Sequence, residues 1–158
     1  MNTKQKSELN ILLADDDKDD RFFFERALKT LSQSTQLITV SDGAQLIDYL
    51  IKNEPHRTDV IFMDLNMPRK NGLECLQEIK EHKNLKHIPV IIYTTSLTDE
   101  NIDLFYKMGA HYYMHKCDFN SLPAHIARAL ALVLKNPKQP SKEKFLIDLQ
   151  EEHNIKLY

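Results

Sequence analysis

The chain has 158 residues, 42% of them hydrophobic, enough to bury one sizeable core and too few for several. Its 21 basic and 23 acidic side chains leave a formal charge of −2, which excludes a long-range field that would recruit nucleic acid or an anionic membrane surface. Every apolar run is well short of the ~20 residues that a membrane helix needs. No signal-peptide pattern opens the chain, and Cys75 and Cys117 form no paired motif, so a reduced, cytoplasmic protein is expected.

After a polar lead ending at Leu9, Ile11-Leu12-Leu13-Ala14 is a short apolar run that stops at three aspartates, as a buried strand entering a polar loop would. From Asp20 the period becomes helical: Phe24, Ala27, Leu28 and Leu31 share one face, with acids at the start and Lys29 near the end. Phe22, Phe23 and Phe24 are adjacent and cannot all face a core; Phe23 and Phe24 fit the buried stripe, and Phe22 is left exposed. The alternation repeats with a strand over Leu37 to Val40, a helix over Gly43 to Asn53, a strand over Val60 to Met63 and a helix over Leu73 to Glu81. It continues with a strand over Val90 to Tyr93, a helix over Asp99 to Met108 closed by Gly109, a strand over Tyr112 to His115 and a helix over Leu122 to Leu134. Five strands alternating with five helices predict an α/β fold, with right-handed crossovers and a doubly wound parallel sheet covered on both faces.

This domain is expected over residues 1–135, with 136–158 as a linker and short tail. Asn136-Pro137-Lys138-Gln139-Pro140-Ser141 is turn-rich, and Phe145, Leu146 and Leu149 fit one face of a short helix. The residues after Lys135 are too few for a DNA-binding or catalytic output domain, which takes ~50 residues or more.

Open parallel α/β sheets bind ligands outside the carboxyl ends of their strands, where strand order reverses. At those ends stand Asp15, Asp16 and Asp17 after the first strand, Asp64 after the third, Thr94 after the fourth and Lys116 after the fifth. Converging carboxylates raise one another's pKa unless a cation neutralises them, and a hard divalent ion such as Mg2+ suits an all-oxygen set. A carboxylate can also be a nucleophile that forms an acyl phosphate, with a lysine and a hydroxyl holding the phosphoryl oxygens.

Ile11 to Asp17, Met63 to Gly72, Pro89 to Thr95, and Gly109-Ala110 through Tyr113 to Lys116 together resemble the four signature blocks of response-regulator receiver domains, in the family's order. The resemblance covers roughly Asn10 to Lys135 and implies a flavodoxin-like, five-stranded sheet in the order 2-1-3-4-5, like that of single-domain chemotaxis receivers. It implies that Asp15 and Asp16 are the acidic metal-binding pair, that Asp64 is the phosphoacceptor, and that the main-chain carbonyl of Asn66 completes the Mg2+ ligands. Thr94 matches the hydroxyl that bonds the phosphoryl group on switching, Tyr113 the aromatic that follows it, and Lys116 the lysine that pairs with the acceptor. The implied function is a phosphorelay switch, not a metabolic enzyme. Its phosphodonor is a sensor histidine kinase or histidine phosphotransfer protein, and its output a downstream protein target, with neither nucleic acid nor membrane as partner.

One departure stands out, because receivers usually carry proline after this lysine, commonly in a cis bond, and here the residue is Cys117. A trans bond with a re-routed loop, or a strained one, is expected, and a phosphorylation-independent binding module is the reading that Cys117 favours. Asp15-Asp16-Asp17 also has the Asp-x-Asp spacing of haloacid-dehalogenase-type phosphohydrolases, which would make Asp15 the nucleophile. The following Lys18-Asp19 and the lack of sequence for a cap domain weigh against that reading. Asp17, Asp19 and Asp20 read as helix-start acids that complement the dipole.

Overall fold

The computed structural model describes residues 8–53, 57–116 and 118–148. The apolar runs form strands β1 (Leu9–Ala14), β2 (Thr35–Val40), β3 (Val60–Met63), β4 (Val90–Thr94) and β5 (Tyr112–His115). Between and after them lie helices α1 (Lys18–Lys29), α2 (Gly43–Lys52), α3 (Gly72–Glu81), α4 (Asp99–Lys107) and α5 (Leu122–Lys135). The sheet runs β2-β1-β3-β4-β5 with every adjacent pair parallel, the predicted flavodoxin-like order.

Side chains alternate across a strand, so each inner strand feeds two cores. Leu12 and Ala14 of β1 face α2, α3 and α4, packing with Leu46, Leu76, Ile79 and Phe105. Leu9, Ile11 and Leu13 face α1 and α5, packing with Phe24, Leu28, Ile126 and Leu130. Edge strand β2 differs from the continuous apolar reading: each of its residues is exposed or half-buried, as its place at the sheet edge allows.

Capping moves the starts of α1 and α3 ahead of the hydrophobic period and fixes that of α4 where it was expected. Asp17 is the N-cap of α1 and accepts hydrogen bonds from the amides of Asp19 and Asp20, so the helix starts two residues before the first apolar repeat suggests. Asn71 does the same for α3 by accepting from the Glu74 amide, and Thr98 for α4 by accepting from that of Asn101. Gly109, at φ +93°, takes the left-handed turn that releases the chain from α4 into β5. Phe24 is fully buried as expected, whereas Phe23 is only half-buried and stacks on Phe119.

The segment after α5 is not the expected short helix. A single 3₁₀ turn at Lys142–Lys144 is followed by a bridge between Leu146 and Tyr113 that extends the sheet edge beside β5, and Phe145 is fully buried. Leu149 and Cys117 lie outside the described residues, and with Cys117 lies the expectation for its peptide bond. Among the described residues no helix is long and apolar enough to cross a membrane.

Candidate functional site

The ladder hydrogen bonds continue one residue past the strands and pin the candidate residues to their neighbours. The Asp15 amide donates to the Val40 carbonyl of β2 at 3.1 Å, the Asp64 amide to the Ala14 carbonyl of β1 at 3.0 Å, and the Lys116 amide to the Thr94 carbonyl of β4 at 2.8 Å. These residues therefore stand side by side along the carboxyl edge, at the β1/β3 reversal where a ligand cleft is expected. Gly72 closes the loop after Asp64 by donating to the Leu65 carbonyl at 2.8 Å. A Cβ on Gly72 would lie 2.7 Å from the Asp64 carbonyl oxygen, so a side chain there would push the loop off Asp64.

Carboxylate oxygens of Asp15, Asp16 and Asp64 gather within 4.8 Å of one another. Asp15 is fully buried, Asp64 nearly so, and Asp16 is exposed. Asp15 Oδ1 accepts from the Asp17 amide at 3.0 Å, and Asp64 Oδ1 from the Leu65 amide at 2.7 Å. The second oxygens converge on the Lys116 ammonium, with Nζ at 2.7 Å from Asp15 Oδ2 and 2.9 Å from Asp64 Oδ2. The contact with Asp15 is a close ion pair, and Asp15 Oδ2 is a buried oxygen with no aligned hydrogen bond. Burial pushes the Asp15 carboxyl up to about 6, against the partial relief of Lys116 and the Asp17 amide. Burial alone would lower the Lys116 pKa, but its contacts with Asp15, Asp20 and Asp64 outweigh that and hold the ammonium above its ordinary range.

An oxygen-only donor set with a buried oxygen that has no aligned hydrogen bond, a second buried carboxylate and an exposed one facing solvent fits a hard divalent cation that keeps part of its water shell. Asn66 is exposed two residues past Asp64 on the same loop.

Thr94 and Tyr113 are both fully buried, and they meet at one residue, Ser96. Thr94 Oγ1 accepts from the Ser96 amide at 3.3 Å, and the Tyr113 hydroxyl donates to the Ser96 carbonyl at 2.6 Å. Tyr112 packs in the opposite core, as the strand alternation requires.

Two contributors were not legible as site residues. Asp20, which reads as a helix-start acid, sends Oδ2 to 2.8 Å from Lys116 Nζ, and Arg21 Nη1 donates to the Asp15 carbonyl at 2.7 Å. A hint lay in their positions one helical turn beyond Asp16 and Asp17, where α1 passes back over the strand end.

Residues 11–127 match the family model described as the response regulator receiver domain. Among curated proteins, the chain is 36% identical over 111 residues to response regulator Rcp1 of Synechocystis sp., covering 67% of this chain and 75% of that protein. It is 31% identical over 137 residues to the two-component response regulator ARR17 of Arabidopsis thaliana, covering 78% and 88%. Among solved structures, the Mn2+-bound form of Rcp1 superposes with a TM-score of 0.71 at 30% identity, covering 84% of this chain and 99% of that one. The phosphorylated cyanobacterial phytochrome response regulator RcpA superposes with a TM-score of 0.71 at 29% identity, covering 82% and 95%.

Proposed function

This chain belongs to the response regulator receiver domain family of two-component systems, and on that premise we propose that it is a cytoplasmic phosphoacceptor switch in which Asp64 takes a phosphoryl group. The observation that carries this reading is the near-buried Asp64 carboxylate held 2.9 Å from the Lys116 ammonium, beside the buried Asp15 oxygen that the same ammonium contacts at 2.7 Å.

An Asp64 carboxylate oxygen bonds to phosphorus as the phosphorus–nitrogen bond of a phosphohistidine on a sensor kinase or phosphotransfer protein breaks; the histidine leaves with the bonding pair. Lys116 holds the phosphoryl oxygens by charge and the Thr94 hydroxyl by hydrogen bond. Asp15, Asp16, Asp64 and the Asn66 carbonyl would hold Mg2+, which when bound neutralises the repulsion between these carboxylates and the phosphoryl oxygens. Rcp1 binding Mn2+, another hard divalent ion, supports such a site here.

The backbone of Ser96 supplies a physical link for the switch. When the Thr94 hydroxyl turns to the phosphoryl group, the Ser96 amide loses its acceptor, and the carbonyl that anchors Tyr113 belongs to the same residue, across its Cα. The surface of α4, β5 and α5 then changes its affinity for a downstream protein target.

The test is intact mass after incubation with Mg2+ and a small acyl phosphodonor, for wild type and Asp64→Asn, with and without chelator. A single phosphoryl adduct that needs the metal and vanishes in Asp64→Asn is expected. An adduct that survives the substitution moves the nucleophile to Asp15, and no adduct at all returns the chain to a phosphorylation-independent binding module.

A further inference from the structure

We propose that residues 139–147 form an autoinhibitory strap, which occupies the face of α4 and β5, is tied through Tyr113 to the backbone of Ser96, and must be displaced by a downstream protein target. The proposal rests on the reading of the chain as a phosphoacceptor switch and names what covers its output surface.

Strand β5 ends the sheet, and a bare edge strand offers its amides and carbonyls to any extended segment that reaches it. Here the chain's own residues take that place. The Tyr113 amide donates to the Phe145 carbonyl at 3.0 Å and the Ile147 amide to the Tyr113 carbonyl at 2.9 Å, in the parallel sense. Side chains of the strap alternate as those of a strand do: Phe145 enters the core beneath α4, and Ile147 the core beneath α5. On the α4 side, Gln139 Nε2 donates to the Tyr106 carbonyl at 2.7 Å and to the Ala110 carbonyl at 2.8 Å, and Lys142 pairs with Asp103. The Tyr106 ring closes edge to face on Phe145, with centroids 5.2 Å apart.

Tyr113 is fully buried against Phe105 and Phe145, with its hydroxyl on the Ser96 carbonyl. A ring so enclosed moves only if a neighbour yields. Phe105 is fixed within α4, whereas Phe145 belongs to a segment that, among the described residues, joins the sheet by one isolated bridge. Its remaining polar contacts sit on exposed side chains, and an ion pair such as Lys142 with Asp103 adds little there. The strap is therefore a unit that opens before the core does. When Thr94 turns away from the Ser96 amide, the carbonyl that holds Tyr113 loosens, and the seat of Phe145 loosens with the ring. A target that pairs with β5 then meets a smaller cost of displacement, and by reciprocity a docked strap opposes the switch.

The test is amide hydrogen exchange of Ile147 in the full chain, followed by NMR in wild type and Tyr113→Phe, and in wild type held in excess acyl phosphodonor and Mg2+ with intact mass confirming the adduct. In wild type, Ile147 is expected to exchange at least about tenfold faster than the amides of β1, because the strap opens locally. Equal rates would mean that it is no separate unit. Tyr113→Phe cuts the tie to Ser96 and is expected to speed Ile147 exchange about fivefold, the scale of one lost hydrogen bond. No change would mean that the strap and Ser96 are not linked through this ring. Phosphorylation is expected to speed Ile147 exchange by a similar factor, and unchanged or slower exchange on a chain that carries the adduct would show that the strap is not autoinhibitory. Each of these three contrary results overturns the proposal. If no adduct forms, the phosphoacceptor reading falls by itself, while the comparisons that need no phosphoryl group still decide whether the strap exists and is tied to Ser96.

Discussion

The ring of Phe145 stands edge to face against that of Tyr113, with centroids 6.2 Å apart and planes at 62°. The backbone reinforces the contact: the Tyr113 amide donates to the Phe145 carbonyl at 3.0 Å, and the Ile147 amide to the Tyr113 carbonyl at 2.9 Å. Tyr106 closes over the same segment, donating its hydroxyl to the Pro140 carbonyl at 3.0 Å. A stretch that composition marks as linker and tail is thus packed into the core against the aromatic that the family resemblance assigns to switching.

Phe145→Ala should therefore behave as a core truncation, costing about 3–5 kcal/mol in urea-induced unfolding. A cost below about 1 kcal/mol would show that the segment leaves the sheet edge without consequence.

Tyr113→Phe keeps the ring but removes the 2.6 Å hydrogen bond to the Ser96 carbonyl. A loss of about 1 kcal/mol is expected, since that half-buried carbonyl loses its donor. Intact-mass kinetics should find the rate of Asp64 phosphorylation unchanged within about twofold, because the hydroxyl bonds Ser96 and not the acceptor. A larger change in rate would place Tyr113 in the phosphoryl site itself.

His111 gives a pH dependence of defined sign. It is buried, accepts the Val90 amide on Nδ1 at 3.3 Å, and burial together with the nearby Lys80 charge lowers its pKa from 6.5 to about 4. Between those values the unfolded chain binds the extra proton, so the His111 contribution is complete above pH 6.5 and is lost as pH falls through about 4. It amounts to at most about 3 kcal/mol. Stability of His111→Gln measured from pH 7 to pH 4 should fall less steeply than that of wild type, and parallel curves would refute the assignment.

Phe22 and Phe119 are exposed on either side of the half-buried Phe23, beside a groove of about 340 Å³ lined by Phe23, Ala27, Phe119 and Pro123. If this face receives the kinase or phosphotransfer helix, Phe22→Ala should slow phosphotransfer from a cognate kinase about tenfold. Phosphorylation by a small phosphodonor should stay as it is. Equal effects on both donors would remove Phe22 from docking.

Fold class, the element sequence and the residues at the strand ends were legible in the chain itself, because continuous apolar runs mark strands buried on both faces and 3.6-residue spacing marks their covering helices. Asp15, Asp16, Asp64, Thr94 and Lys116 could be named from their places after those runs, since parallel strands bring all their carboxyl ends to one edge. What periodicity cannot encode is where a side chain goes once elements from distant sequence meet. Asp20 has the same local pattern whether it caps a helix or grips Lys116, 96 positions away. Phe145 has the same local pattern on a helix face or in a sheet-edge bridge, and only the open side of β5 selects the bridge. Local spacing determines which face a residue presents; the partner on that face is decided by the tertiary competition for buried charge and unpaired backbone.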